Sequence, residues 1–287
     1  SGSGSGTDNG RGTDWKPEYD RTNLQGTLHV LRAAQESGAR QVIFASSIAA
    51  MEPAPCGETL TEHTPTSEYI PYAKSKSMGE KMVRDASSRL PGVVLRIGGA
   101  FSDWCELPPL CSLIQLWAGR SPFRRLLVGT GTTGMPYIHR DDVVRIVRSC
   151  LNAHEALGPY EVFLAAQQGG VLHKDLFDAI RHADSGSAAP APISVSPRAA
   201  TLGLWLRHAI GSLTGCVPFE RRWMLEYADR PWLVDTTYTH DKLGWRCAEG
   251  MGILDRLPTI LEHFRQDRRT WEDRNRIRNQ GRYGYYG

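Results

Sequence analysis

No apolar run in the 287-residue chain approaches the roughly 18–20 residues that span a bilayer, and the opening residues carry neither the basic nor the apolar segment of a secretory signal. The six cysteines (Cys56, Cys105, Cys111, Cys150, Cys216, Cys247) are scattered, with no CxxC pair and no neighbouring histidine pair. That excludes a zinc ribbon and a disulfide framework, and it points to a reducing, cytoplasmic setting. A net charge of +3 is too weak to imply a nucleic-acid partner, and no membrane partner is expected. There is no internal repeat. What remains is a globular composition, 40% hydrophobic with 29 Gly and 17 Pro, which implies many turns around a sizeable core. The opening SGSGSGTDNGRGTD is linker-like, so residues 1–14 stand outside the fold argument.

Order begins near Trp15. In YDRTNLQGTLHVLRAAQESG, Leu24, Leu28, Leu31 and Ala34 recur near the helical period, and Gly38 is a stop. QVIFASS reads as a buried strand ending in serines. After a polar loop from Glu52 to Ser67 comes a helix over about 71–88, then VVLRIGG, a second buried strand. PPLCSLIQLWAGR reads as a helix, and MPYIHRDDVVRIVRSCLNA as a short strand with an Asp starting an amphipathic helix. YEVFLAA is a third buried strand, and GMGILDRLPTILEHFRQ is a last long helix disturbed by Pro258. Strands alternating with helices indicate an α/β protein with a parallel sheet.

Tyr72 and Lys76, at i and i+4, share one helix face. A phenol titrates near pH 10, so acid–base work at neutral pH needs help, and a nearby ammonium supplies it by stabilising the phenolate. The third partner is a hydroxyl that orients the substrate oxygen. Ser46 and Ser47 both fit, because they end a parallel strand, where open α/β sheets bind ligands.

NLQGTLHVL from Asn23, VIFASS, PYAKSK, VVLRIGGAF, IHRDDVVRIV and HDKLGW stand in the order found in extended short-chain dehydrogenases/reductases. Over about residues 15–262 the chain resembles that group, the NAD-dependent epimerase/dehydratase family. The resemblance implies Tyr72 as acid/base. Lys76 would hold the nicotinamide ribose and favour the phenolate, and Ser47, 25 residues before Tyr72, would bond the reacting oxygen. Asn23, Ala45, Ser46 and the backbone of Ile97, Gly98 and Ala100 would lie near NAD or NADP. It also implies a homodimer through helices at 17–36 and 71–88.

Two patterns compete with this site. Tyr238 and Lys242 repeat the spacing, but no strand ending in serine precedes them and they run into LGW, a packing segment in the family. Gly129-Thr-Gly-Thr-Thr-Gly134 spells GxGxxG, yet Pro136 and a strand follow it where a phosphate-binding helix should begin. The fingerprint that cradles pyrophosphate belongs in the first βα unit, and the residues before Asn23 are too few and too polar to hold one. The expected fold is therefore a Rossmann-like parallel sheet without its first βα units, its apolar edge at QVIFASS uncovered, plus a smaller C-terminal substrate-binding region. Residues 15–101 and 137–167 would form the first part and 102–136 with 168–262 the second. Residues 263–287, rich in Arg and Tyr, read as a solvated or subunit-contacting tail, with RNA stacking the minority reading.

Ile48 and Ala49 follow Ser47 where dehydratases carry Asp-Glu. Met135-Pro136 replaces the Arg-Asp by which nucleotide-sugar epimerases grip diphosphate, and Ile97 stands where the family usually has Pro. Arg120, Arg124 and Arg125 could still offer a phosphate site. The expected activity is hydride transfer at a secondary alcohol or ketone of a sugar, steroid-like or other hydroxy/keto compound. Nucleotide-sugar epimerisation is the alternative, and a non-catalytic NAD(P)-binding scaffold is the reading from another class. His139 and His240 read as structural, with no metal. The absent fingerprint predicts weak dinucleotide binding by this chain. Titration calorimetry with NAD and NADP should detect little heat, and tight binding of either would overturn the expectation.

Overall fold

The three runs expected as buried strands form β1 (Val42–Ser47), β2 (Gly92–Ile97) and β7 (Tyr160–Ala165). All pair in parallel in the order β1-β2-β7, with Ser47, Ile97 and Ala165 level at their carboxyl ends. The computed structural model describes residues 19–55, 57–68, 70–120, 122–185, 191–214, 224–225 and 228–276. β2 is central and buried from Gly92 to Arg96. β1 lies at the edge of this sheet, the place expected for QVIFASS, and its Val42, Ile43 and Phe44 are half-buried rather than buried.

Two helices pack on one face of this sheet. The segment expected as one helix begins as a π-helical run, Tyr19–Gln25, and continues as α1 (Gly26–Glu36). Gly38 follows in the left-handed region at φ +69°, which accounts for the stop. α2 (Pro71–Ala86) starts with Pro at its first position, where the missing N–H costs no helical bond. Leu31 of α1 and Val83 of α2 share an apolar cluster with Leu90 and Val94. α2 comes close to β1 because Gly79 has no side chain. A Cβ there would lie 2.3 Å from Cζ of Phe44.

Small strand pairs lead away from the main sheet. β3 (Gly99–Phe101) pairs in parallel with β6 (Tyr137–His139), and β4 (Leu126–Val128) with β9 (Ile193–Val195). β5 (Gly134–Met135) pairs antiparallel with β8 (Val171–Leu172). A second core joins α3 (Pro108–Trp117), α5 (His173–Ser185), α8 (Ile253–Gln266) and α9 (Arg268–Asn275) around Trp117, Phe177, Leu257 and Trp271. α8 runs through Pro258 without a break. α9 corrects the expected tail over 263–287: Trp271 is buried, edge-on to Phe264 at 5.2 Å, so this part is folded. Residues 277–287 lie outside the described residues.

α4 (Arg140–Asn152) begins one residue before the expected Asp141, and its cap is a histidine. Nδ1 of His139 accepts from the Asp141 N–H at 3.3 Å while the ring packs edge-on to Phe101. His139 is thus a buried helix cap, where a strand residue beside the cap was expected. α6 (Pro197–Thr214) follows β9, and α7 (Thr237–Leu243) ends at Gly244 in the left-handed region, φ +59°. Trp245 of LGW is buried with Phe163 and Ile146, the packing role expected.

The Gly79 contact carries a prediction. Gly79→Ala gains helix propensity but overpacks against Phe44, a cost of about 1–3 kcal/mol. In urea unfolding, the substitution should therefore be about 1–3 kcal/mol more favourable in a Phe44→Ala background than in the native chain.

Candidate active site

The carboxyl end of β1 meets the first turns of α2. Lys76 donates from Nζ to the Ala45 carbonyl at 2.9 Å and lies 5.9 Å from the Tyr72 ring centroid. Burial lowers its pKa from the usual lysine value. An ammonium has three N–H donors, so the bond to Ala45 leaves two for a ligand. Ser47, two residues beyond Ala45, has extended backbone and caps the short 3₁₀ turn Ile48–Ala50, its Oγ accepting from the Ala49 N–H at 3.1 Å. With Oγ in use as an acceptor, the O–H is left to donate.

Ser46 points to the other face of the strand, as the two-residue period requires. It is buried, and its hydroxyl donates to Oε1 of Glu80 at 2.5 Å, so what it can offer a cofactor is main chain. Asn23 donates from Nδ2 to Ser75 Oγ at 2.9 Å, and Ser75 donates to the Tyr72 carbonyl at 2.8 Å. The π-helical run is thereby tied to the first turn of α2. Gly98 sits beyond the sheet, where a Cβ would meet the Pro136 carbonyl oxygen at 2.7 Å and Ala166 at 3.1 Å. Close packing of its own chain accounts for that glycine. Ile97 is half-buried and Ala100 exposed beside it.

Sequence reasoning missed the residues that hold α2 in place. Arg96 on β2 and Glu80 on α2 form a buried two-pronged pair, Nε to Oε1 at 3.1 Å and Nη2 to Oε2 at 2.8 Å, each side chain 4% exposed. Nη1 of Arg96 also donates to the carbonyls of Glu62 and Thr64. Glu62 in turn accepts from Thr239 Oγ1, which accepts from the Leu164 N–H. One signal was legible: an arginine inside the apolar strand VVLRI demands a buried partner.

The competing patterns separate cleanly. Tyr238 lies beside the amino end of β7, donating to Glu161 Oε2 at 2.7 Å and stacking on Phe163. Burial, then Glu161, push its pKa up to about 12, so this phenol keeps its proton. The GTGTTG loop is taken up by its own chain. The Asp229 carboxylate accepts from the Thr130 N–H and Oγ1, both at 2.8 Å, and a Cβ on Gly129 would strike it. Of the arginines, Arg125 donates to the Ala191 carbonyl, while Arg120 and Arg124 are exposed.

These residues fit the nicotinamide-ribose end of a dinucleotide: a cationic donor, an acceptor side chain in Asn23 and a row of main chain at strand ends. For the pyrophosphate, the described residues hold no glycine-rich turn between a strand and a helix N-terminus. Nor does any cluster of three or more His, Cys, Asp or Glu among them suit a metal.

Cutting the buried pair on one side leaves an uncompensated charge. Glu80→Ala should cost about 3–5 kcal/mol in urea unfolding, and the double variant Glu80→Met with Arg96→Met should cost clearly less.

The UDP-glucose 4-epimerase of Azospirillum brasilense is 40% identical over 81 residues, 28% of this chain and 23% of that protein. The uronate dehydrogenase of Pseudomonas syringae pv. tomato is 32% identical over 107 residues, 37% of this chain and 38% of that protein. The matches thus span well under half the length of these curated relatives. A Bacillus anthracis dTDP-glucose 4,6-dehydratase crystallised with NAD superposes with a TM-score of 0.65 at 15% identity, over 91% of this chain and 73% of that one. A Thermotoga maritima UDP-glucose 4-epimerase with UDP-glucose gives 0.59 at 20% identity, over 85% and 70%. These superpositions establish the fold. The profile of the NAD dependent epimerase/dehydratase family matches residues 10–166, more than half the chain and the whole of the β1–α2–β2–β7 unit, and on that ground the protein belongs to this family.

Proposed function

We propose that the protein catalyses NAD(P)-dependent hydride transfer at a secondary alcohol or ketone, with Tyr72 as the acid/base. One observation carries the reading: Lys76 is anchored to the strand end that carries Ser47, on the helix turn next to Tyr72. Lys76, Asn23 and the main chain of Ala45, Ser46 and Ile97 to Ala100 would hold the cofactor. Bound NAD(P) supplies the two-electron hydride acceptor. In the oxidative direction the Tyr72 phenolate takes the hydroxyl proton as the carbinol hydrogen leaves as hydride. Ser47 donates its O–H to the same oxygen and keeps it in line with Tyr72. The Lys76 ammonium, bonded to a neutral carbonyl and not to a carboxylate, stabilises the phenolate before transfer.

A nucleotide-sugar epimerase is the second reading. The Azospirillum relative and the Thermotoga structure support it, both named as UDP-glucose 4-epimerases. Against it stand Met135-Pro136 in the diphosphate segment and the commitment of Arg125 to Ala191. The uronate dehydrogenase likeness favours net oxidation instead.

Tyr72→Phe removes one hydroxyl and keeps the ring. With NAD or NADP raised until the rate saturates, it should lower turnover about 10²–10⁴-fold, while Tyr238→Phe should leave turnover within about threefold, since that phenol holds its proton. Equal losses from the two variants would overturn the assignment of Tyr72. Rates with UDP-sugars against apolar ketones then separate the two substrate classes.

A further inference from the structure

Cys105 and Glu106 stand in the left-handed region, at φ +72° and +56°, and Asp229 is the only other such non-glycine residue among those described. Conformations of this kind persist only where neighbours hold them, and they gather where position matters to function. Here they close a tight turn, Ser102–Glu106, directly after β3. Ser102 and Cys105 exchange main-chain bonds at 3.0 and 2.8 Å, while the Ser102 hydroxyl accepts from the Trp104 N–H and donates to Glu106 Oε2. The turn sends the chain back along β3. Leu107 then lies against Gly99, where a Cβ would meet its Cδ2 at 3.1 Å. Gly99 and the exposed Ala100 belong to the main chain assigned above to the cofactor.

Helices α8 and α9 both grip this turn. From α8, Arg256 donates twice to the Asp103 carboxylate, at 2.8 and 2.5 Å, and His263 stacks on Trp104 with ring centroids 4.0 Å apart. The strained end is held from α9. Asn275 Oδ1 accepts at 2.8 Å from the Glu106 N–H, which also reaches the Trp104 carbonyl at 3.1 Å. Asn275 Nδ2 donates to that same Trp104 carbonyl at 2.8 Å. Its neighbour Arg274 donates to Glu106 Oε1 at 2.8 Å and lies 5.3 Å from the Trp104 ring centroid.

From this we infer that α9 is a clasp for the candidate active site, with Asn275 as a positioning residue. It holds the Ser102–Glu106 turn in its left-handed form, the turn holds Leu107 against Gly99, and Gly98 to Ala100 are thereby kept in place beside the nicotinamide end. An amide that accepts from one main-chain group of the turn and donates to another fixes its orientation. The stacking of Trp104 on His263 has no such directional grip. The buried Trp271 already anchors α9 to the core, so the Asn275 amide serves the turn rather than the packing of its helix. α9 lies outside residues 10–166, the part matched by the family profile. The link from the turn to catalysis rests on the proposed function; the hold of Asn275 on the turn does not.

Hydrogen exchange of the full chain reads the clasp without an activity assay. In Asn275→Ala, amides of residues 99–106 should exchange about tenfold faster, the worth of one neutral hydrogen bond, with β1, β2 and β7 unchanged. Kinetics reads the consequence. The KM for NAD or NADP should rise about tenfold with kcat held within about threefold, because cofactor-binding main chain grips ground state and transition state alike. Asn275→Asp keeps the acceptor for the Glu106 N–H and should recover part of both effects, and Arg274→Gln should speed exchange at the same residues. Unchanged exchange at 99–106, or equal acceleration through the whole chain, overturns the clasp. Faster local exchange with an unchanged KM overturns its link to the site. A Tyr72→Phe variant as active as the native chain sinks the active-site reading instead, and exchange alone then decides the clasp.

Discussion

The bond between Arg96 and Glu80 fixes how α2 lies on the sheet, and the candidate active site depends on that placement. A guanidinium taken out of water is tolerated only when its donors are met with good geometry. Here two go to the Glu80 carboxylate and two more to the carbonyls of Glu62 and Thr64, while Ser46 supplies a further donor to Glu80. Apolar contacts such as Gly79 on Phe44 set how close the helix comes. They do little to stop it sliding or turning, because dispersion has no direction. A bidentate pair does have direction. Glu80 stands one turn beyond Lys76 and two beyond Tyr72, so clamping it sets the height and rotation of both.

The same pair settles the electrostatics. Glu80 neutralises Arg96, so the sheet side of α2 presents no net charge at that level. Lys76, one turn earlier, bonds to the Ala45 carbonyl and forms no ion pair among the described residues. Its ammonium lies 5.9 Å from the Tyr72 ring centroid, at a position where burial has already thinned the water. Asn23 and Ser75 complete the arrangement from the opposite side by holding the Tyr72 main chain. Tyr72 and Lys76 are thus fixed from β1, β2 and the π-helical run at once.

Much of this was legible in residues alone, for definable reasons. The strands were readable because VIFASS, VVLRI and YEVFLA are short, β-branched and bounded by turns, and Pro71 marked the start of α2. Tyr72, Lys76 and Ser47 could be picked out as candidates because a local spacing and a strand end define them. The role of Ser46 could not, since adjacent strand residues face opposite ways and only the partner, Glu80, tells which is which. The π-helical opening and the burial of Trp271 were illegible for a related reason. Both depend on what packs against them, Ser75 in one case and Phe264 in the other, and neither contact is local.

Tyr72 and Tyr238 carry this lesson furthest, because sequence spacing treats them alike. Each is followed by a lysine four residues on, each lies on a helix, and each lysine sits just under 6 Å from its ring centroid. The sheet separates them. Val93 pairs with Glu161 near the amino ends of β2 and β7, whereas Ile97 pairs with Ser47 and Ala165 at the carboxyl ends. Tyr238 reaches the first row and finds a carboxylate, which holds the phenol protonated. Tyr72 opens the helix that meets the second row, where main-chain groups and a serine hydroxyl face outward and no acid is bonded to Lys76. A tyrosine–lysine pair is therefore a catalytic candidate only through the end of the sheet it addresses. Strand direction, which no local motif encodes, decides which of two identical spacings can do chemistry.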